Sequence, residues 1–260
     1  MKKFSFLIIF LAFGLHLMAQ NEKGDILIRN GNLITISGDE LESTDILIKD
    51  GIIKQIGKDI KAKGVKEIQA SGMYVMPGII DAHSHLGIDA VNEGTNPVTP
   101  EVWVGDALNP YDIGIYRALA GGVTISHAMH GSANAIGGQC ETIKHRYGVK
   151  NPNSLRMAGA TRTIKFALGE NPMRVHGEGN KIVPNTRMGV EQVFRESFAE
   201  AKDYLADWKA YNSGHSKVPP EYSLRKETVG AILTGDILIH CHSYRADEIL
   251  MLMNVLKDYG

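Results

Sequence analysis

Two histidines separated by one residue, His83 and His85, close an apolar run in the segment PGIIDAHSHLG, Pro77–Gly87. On an extended strand, residues i and i+2 point the same way, so both imidazoles face one spot. Neutral imidazole binds zinc and other borderline metals, so the pair predicts a metal site. Asp81, two residues earlier on the same face, is placed to orient a ligand. A second pair, His240 and His242, ends another apolar run, DILIHCH. His240 is the predicted ligand of that pair, and His242 is expected to face the same cavity and touch substrate.

Lys165 lies within a strand-like stretch, TRTIKFALGENP. An amine there is costly unless it is paired, modified or able to snorkel. Carboxylation by CO2 would turn it into an anionic bridge between two metal ions; Glu170, five residues on, is the unmodified alternative. Zinc is the first choice of metal, with manganese or iron as alternatives for His and carboxylate ligands. Arg245 is a candidate substrate contact, with a surface ion pair to Asp247 as the competing reading. The Gly-rich stretch GSANAIGGQCETIKHRYG carries Gln139, Lys144, His145 and Arg146 and is expected to be a substrate lid, with His145 touching substrate. It lacks the Lys-Ser/Thr of a phosphate loop. His127 and His130 are expected to line the cavity rather than bind metal.

Elements that position these residues are legible in the pattern. Residues 24–76 predict short strands, with Asn30-Gly31 and Asp50-Gly51 as hairpin turns. From Met76 onward, apolar runs alternate with helical stretches, the mark of βα units around a parallel sheet. YVMPGIIDAH is a predicted first strand, NPYDIGIYRALAGG a helix with a Gly-Gly stop, and VTISHAMH a second strand. The clearest helix spans Gly189–Tyr211, with Val190, Val193, Phe194, Phe198, Ala201, Leu205 and Trp208 at 3/4 spacing.

Composition narrows the class. The 260 residues are 43% apolar with a formal net charge of -1, so nothing suggests nucleic-acid binding. Residues 1–20 have Lys2, Lys3, an apolar core and Met18-Ala19-Gln20, the pattern of a cleavable signal peptide. Their apolar core is too short for a membrane span of about 20 residues. A periplasmic or secreted location without membrane attachment after cleavage follows. Only two cysteines, Cys140 and Cys241, are present, both expected to be small buried residues, so a disulfide scaffold is not the design.

These motifs resemble the amidohydrolase superfamily, with the imidazolonepropionase-like and prolidase-like hydrolases as the branch they suggest. PGIIDAHSHLG matches its first-strand metal motif, and HCHSYRADEI resembles its fifth-strand histidine region. The resemblance implies an α/β fold: a (β/α)8 TIM-type barrel, incomplete in this chain over 77–260, with a small β-sandwich part over 21–76. By the same resemblance, His83 and His85 hold one metal, His240 the other, and carboxylated Lys165 bridges them. The family's further His and its general-base Asp have no match in this sequence, and that Asp is expected beyond Gly260. The implied reaction is hydrolysis of a C–N bond in a small amide, cyclic amide or dipeptide. Deamination of a heterocycle, or an inactive truncated metal-binding fragment, are the alternatives. Self-association as a homo-oligomer is left open.

Overall fold

The computed structural model describes residues 22, 23 and 25–260. The stretch predicted as a signal peptide lies outside them. The chain divides into two compact units, one ending at Pro77 and the other spanning Gly78–Gly260. Among the described residues no helix is long and apolar enough to cross a membrane.

In the first unit, β1 (Glu22–Lys23) pairs with β5 (Ala62–Lys63). A mixed five-stranded sheet is built from β2 (Ile26–Ile34), β3 (Glu40–Lys49), β4 (Ile52–Gly57), β6 (Lys66–Gln69) and β7 (Tyr74–Val75). Leu27, Leu47 and Ile60 form its small core. Asp50-Gly51 makes the expected turn between β3 and β4, at φ 53° and 73°. Asn30-Gly31 does not turn the chain. It is a bulge inside β2, where the register with β3 shifts. The Asn30 amide donates to Asp45 Oδ1 at 2.9 Å, and a Cβ on Gly31 would stand 2.7 Å from Val75 Cγ2. The dipeptide is therefore used for close approach, which is the other service glycine offers.

The second unit opens with β8 (Ile79–Ser84), so the predicted strand YVMPGIIDAH is broken around Pro77, which has no N–H to donate to a ladder. Next come α1 (Ile113–Ala120), β9 (Val123–Ala128), β10 (Ile136–Gln139), β11 (Glu141–Lys144) and β12 (Thr163–Ala167). A short turn, α2 (Glu170–Pro172), runs into a π-helical segment, Met173–Asn180. The chain continues with α3 (Arg187–Asn212), α4 (Leu224–Leu233), β13 (Leu238–His242) and α5 (Ala246–Tyr259). Strands β8 and β9 are parallel, as are β12 and β13.

The Gly-rich stretch is not a lid. It forms β10 and β11, which run antiparallel to β12 and β9 respectively. Gly137 makes this possible: a Cβ there would lie 2.9 Å from the Lys165 carbonyl oxygen and 2.8 Å from His130 Nδ1.

Packing explains the orientation of the chemical residues. The apolar face of α3 (Val190, Val193, Phe194, Phe198, Ala201) is buried with Ile164 and Phe166 of β12, Val229 and Ile232 of α4, and Leu252 and Val255 of α5. Phe166 stacks on Phe194 with centroids 5.4 Å apart and rings within 10° of parallel. Each such buried ring contributes about 1.5–3 kcal/mol. Because strand side chains alternate, committing Ile164 and Phe166 to this core turns Lys165 to the other face of β12. Likewise Ile239 packs toward the core while His240 takes the opposite face of β13. Cys140 is buried, but Cys241 is exposed, against expectation.

Candidate metal centre

The structure gathers His83, His85, Lys165, His240 and His242 on one side of the second unit. Asp81 Oδ1 accepts the backbone N–H of His83 at 3.1 Å and so fixes the end of β8. His85 lies one residue beyond β8, and its Nδ1 donates to the Met129 carbonyl at 2.8 Å, leaving Nε2 as a free lone pair. The His83 and His85 rings meet edge to face, 5.5 Å between centroids.

Lys165 is 2% exposed. Its Nζ lies 3.3 Å from His83 Nε2, and among the described residues no carboxylate pairs with it. Burial pushes its pKa down. In the parallel register Lys165 stands beside His240, and Ala167 beside His242. The His240 ring packs on His127 at 4.6 Å. His127 is spent on structure: Nδ1 meets Thr142 Oγ1 at 3.1 Å and Nε2 meets Thr163 Oγ1 at 3.0 Å. His130 is equally engaged, by the Glu93 amide at 2.8 Å and the Gly131 carbonyl at 3.0 Å.

His242 Nε2 lies 3.1 Å from Asn171 Nδ2, which also donates to Ser132 Oγ at 2.7 Å. The Tyr244 ring stands edge-on to His242 at 4.6 Å. An Nε2 that accepts from an amide is not offered to a metal, which separates His242 from His240. Asn171, Ser132 and Tyr244 escape sequence reasoning, because nothing in their types or spacing marks them; the turn after β12 brings Asn171 in.

Three expectations need correction. His145 lies at the opposite end of β9: its Nδ1 bonds the Val123 carbonyl at 3.0 Å, because antiparallel β11 carries the chain back to the start of β9. It does not reach the cluster. Arg245 directs its fork onto Asp247, at 2.9 and 3.0 Å, and both are exposed. Glu170 is held by Arg174 at 2.7 Å and makes no ion pair with Lys165.

Electrostatically the cluster repels protons. Burial lowers the pKa of His83, His127, His130, His240 and His242, and the Lys165 charge pushes each the same way. His127 falls to about 4. Neutral imidazoles are the form that binds a metal ion. Among the described residues no three His, Cys, Asp or Glu side chains lie close enough to hold a metal by themselves. The remaining donor is Lys165, a buried amine whose hydrogen-bond partner is His83 Nε2 and which has no anionic partner among the described residues; carboxylation would give it two oxygen donors. The donor set therefore fits a divalent ion with Lys165 carboxylated.

No family model matches the sequence. The chain is 32% identical to amidohydrolase tasK of Hapsidospora irregularis over 245 residues, covering 83% of this chain and 25% of that protein. It is 36% identical to the dihydropyrimidinase of Dictyostelium discoideum over 105 residues, 40% of this chain and 18% of that protein. The crystal structure of an amidohydrolase from Thermotoga maritima MSB8 superposes with a TM-score of 0.84 at 33% identity, over 91% of this chain and 62% of the other. The chain thus spans a quarter of the length of tasK and 62% of the Thermotoga chain. On these likenesses the chain belongs to the amidohydrolase superfamily.

Proposed function

We propose that this chain forms part of a metal-dependent hydrolase that cleaves the C–N bond of a small amide, cyclic amide or dipeptide. The observation that carries the proposal is a buried Lys165 amine, without a carboxylate partner among the described residues, at 3.3 Å from His83 Nε2, with His240 at the same level of the adjoining strand. Support also comes from the names of the similar proteins, an amidohydrolase and a dihydropyrimidinase.

His83, His85 through Nε2, and His240 would hold one or two divalent ions, zinc first, and Lys165 would bridge after carboxylation. In that step the neutral amine's lone pair forms an N–C bond to CO2 and a proton leaves to solvent. The metal, when bound, acidifies water and polarises the amide carbonyl. The protein supplies the rest. Asp81 and the Met129 carbonyl fix the first histidine pair, and His127 backs the His240 ring. Asn171 keeps His242 turned to the substrate side.

The test is metal content followed by turnover. Purified chain is loaded with zinc in bicarbonate buffer and offered N-acyl amino acids, dipeptides and hydantoins, with released amine measured. Zinc uptake that is lost in His83→Ala and Lys165→Ala supports the site, and turnover supports the hydrolase. Zinc uptake without any turnover favours the inactive metal-binding reading, and no uptake removes both.

A further inference from the structure

Behind the turn that follows β12, the starts of two helices meet on the backbone of one glycine. Gly169 has φ 54°, and a Cβ there would run into Glu248 Oε1 and Arg187 Nη1. Glu248 lies in the first turn of α5, is 4% exposed, and has the Arg187 guanidinium as its ion-pair partner. Arg187 is the first residue of α3. We propose that Gly169, Arg187 and Glu248 are positioning residues that decide which nitrogen of His242 is engaged, and so keep that ring turned to the substrate side. The proposal deepens the hydrolase reading above, on which it rests for what His242 faces; the orientation of the ring rests on the turn.

Two bonds run from this turn to His242. The Leu168 amide donates to the His242 carbonyl at 2.9 Å, and Asn171 Nδ2 donates to His242 Nε2 at 3.1 Å. Gly169 stands between those two donors in sequence, so the path of its backbone sets where Asn171 arrives. Its positive φ is open to glycine and costly for other residues. The Arg187–Glu248 pair packs where a side chain at 169 would be, so the turn rests directly on the pair. Charge placement points the same way. A carboxylate in the first turn of a helix is favoured by the helix dipole, and Glu248 gains from it. A cation there is disfavoured, yet Arg187 opens α3, so its place is explained by Glu248 and not by its own helix. Asp247, the neighbouring carboxylate, is taken by Arg245. Without Arg187, Glu248 would be a buried charge with no counterion. Once Nε2 accepts from Asn171, the proton of neutral His242 sits on Nδ1 and the Nε2 lone pair is withheld from a metal ion.

The test reads the tautomer of His242 by heteronuclear NMR on the full chain labelled at histidine, in mildly alkaline buffer where the imidazole is neutral, with thermal melting followed on each variant. Wild-type His242 is expected in the Nδ1–H form. Asn171→Ala shifts the tautomer ratio about fivefold towards Nε2–H, the weight of one hydrogen bond. Glu248→Gln is expected to shift it by a similar factor and Arg187→Lys, which keeps the charge, to leave it unchanged. Glu248→Gln combined with Asn171→Ala goes no further than Asn171→Ala alone, because both act through one bond. A wild-type Nε2–H form overturns the proposal. So does a Glu248→Gln variant that melts earlier yet keeps the wild-type tautomer, since the pair would then join helices and nothing more. If Glu248→Gln does not fold, Gly169→Ala, which drives a methyl into the pair, is read in the same way. Zinc uptake is measured alongside. The expected tautomer shifts in a chain that takes up no zinc sink the hydrolase reading and keep the positioning role, whereas zinc uptake with an unmoved tautomer does the reverse.

Discussion

Replacing Lys165 with methionine should stabilise the metal-free protein. Lys165 is 2% exposed, no carboxylate among the described residues faces it, and its single hydrogen bond, to His83 Nε2, is a long 3.3 Å. Leaving a buried polar group under-satisfied costs about 1–3 kcal/mol on protein mutational scales. The bond to His83 returns about 0.5–1 kcal/mol at most. Methionine preserves length and most of the volume, so repacking costs little. The balance favours Lys165→Met by up to about 2 kcal/mol, read by urea unfolding in CO2-free, metal-free buffer near pH 7. The advantage should shrink at high pH. Burial lowers the folded-state pKa of Lys165, so between that value and the unfolded value of 10.5 the unfolded chain holds the extra proton. The stability of the wild type therefore rises with pH through that window, while Lys165→Met stays flat. A variant less stable than the wild type by more than about 1 kcal/mol would refute the reasoning, because it would make Lys165 a satisfied structural residue.

Acid should weaken the metal-free protein through His127, whose pKa drops from 6.5 to about 4. The unfolded state binds the extra proton between those values, so stability is present above pH 6.5 and falls by about 3 kcal/mol on acidification to pH 4. A His127→Gln variant followed by thermal melting across that range should lose this slope. Phe194→Ala removes a ring stacked on Phe166 in the largest core and should cost about 3–5 kcal/mol in chemical denaturation. Gly31→Ala drives a methyl to within 2.7 Å of Val75 Cγ2 and should cost about 1–3 kcal/mol, with much of the loss restored in Gly31→Ala/Val75→Ala.

Much of the site is visible in residue spacing, because a strand has a period of two. That period explains why His83 and His85 share a face, why His240 opposes Ile239, and why Lys165 opposes Ile164 and Phe166. Parallel register between β12 and β13 sets Lys165 beside His240, and no local pattern encodes which residue meets which across two distant strands. The error over His145 has the same origin. Gly-rich sequence suggests a loop, yet Gly137 serves to let β10 approach β12, and the antiparallel return through β11 carries His145 to the wrong end of β9. Asn30-Gly31 and Asp50-Gly51 are alike in sequence, but one is a bulge and the other a turn, decided by Asp45 and Val75 from elsewhere in the chain. The Arg245 fork was legible as a salt-bridge donor, and its partner Asp247 sits two residues away on the surface.

The most direct measurement is X-ray absorption at the zinc edge on chain loaded with zinc in the presence of bicarbonate. The account predicts a shell of imidazole nitrogens from His83, His85 and His240 together with carbamate oxygen, with the oxygen contribution lost in Lys165→Met. Zinc ligated by cysteine sulfur, or an unchanged spectrum in Lys165→Met, would contradict it.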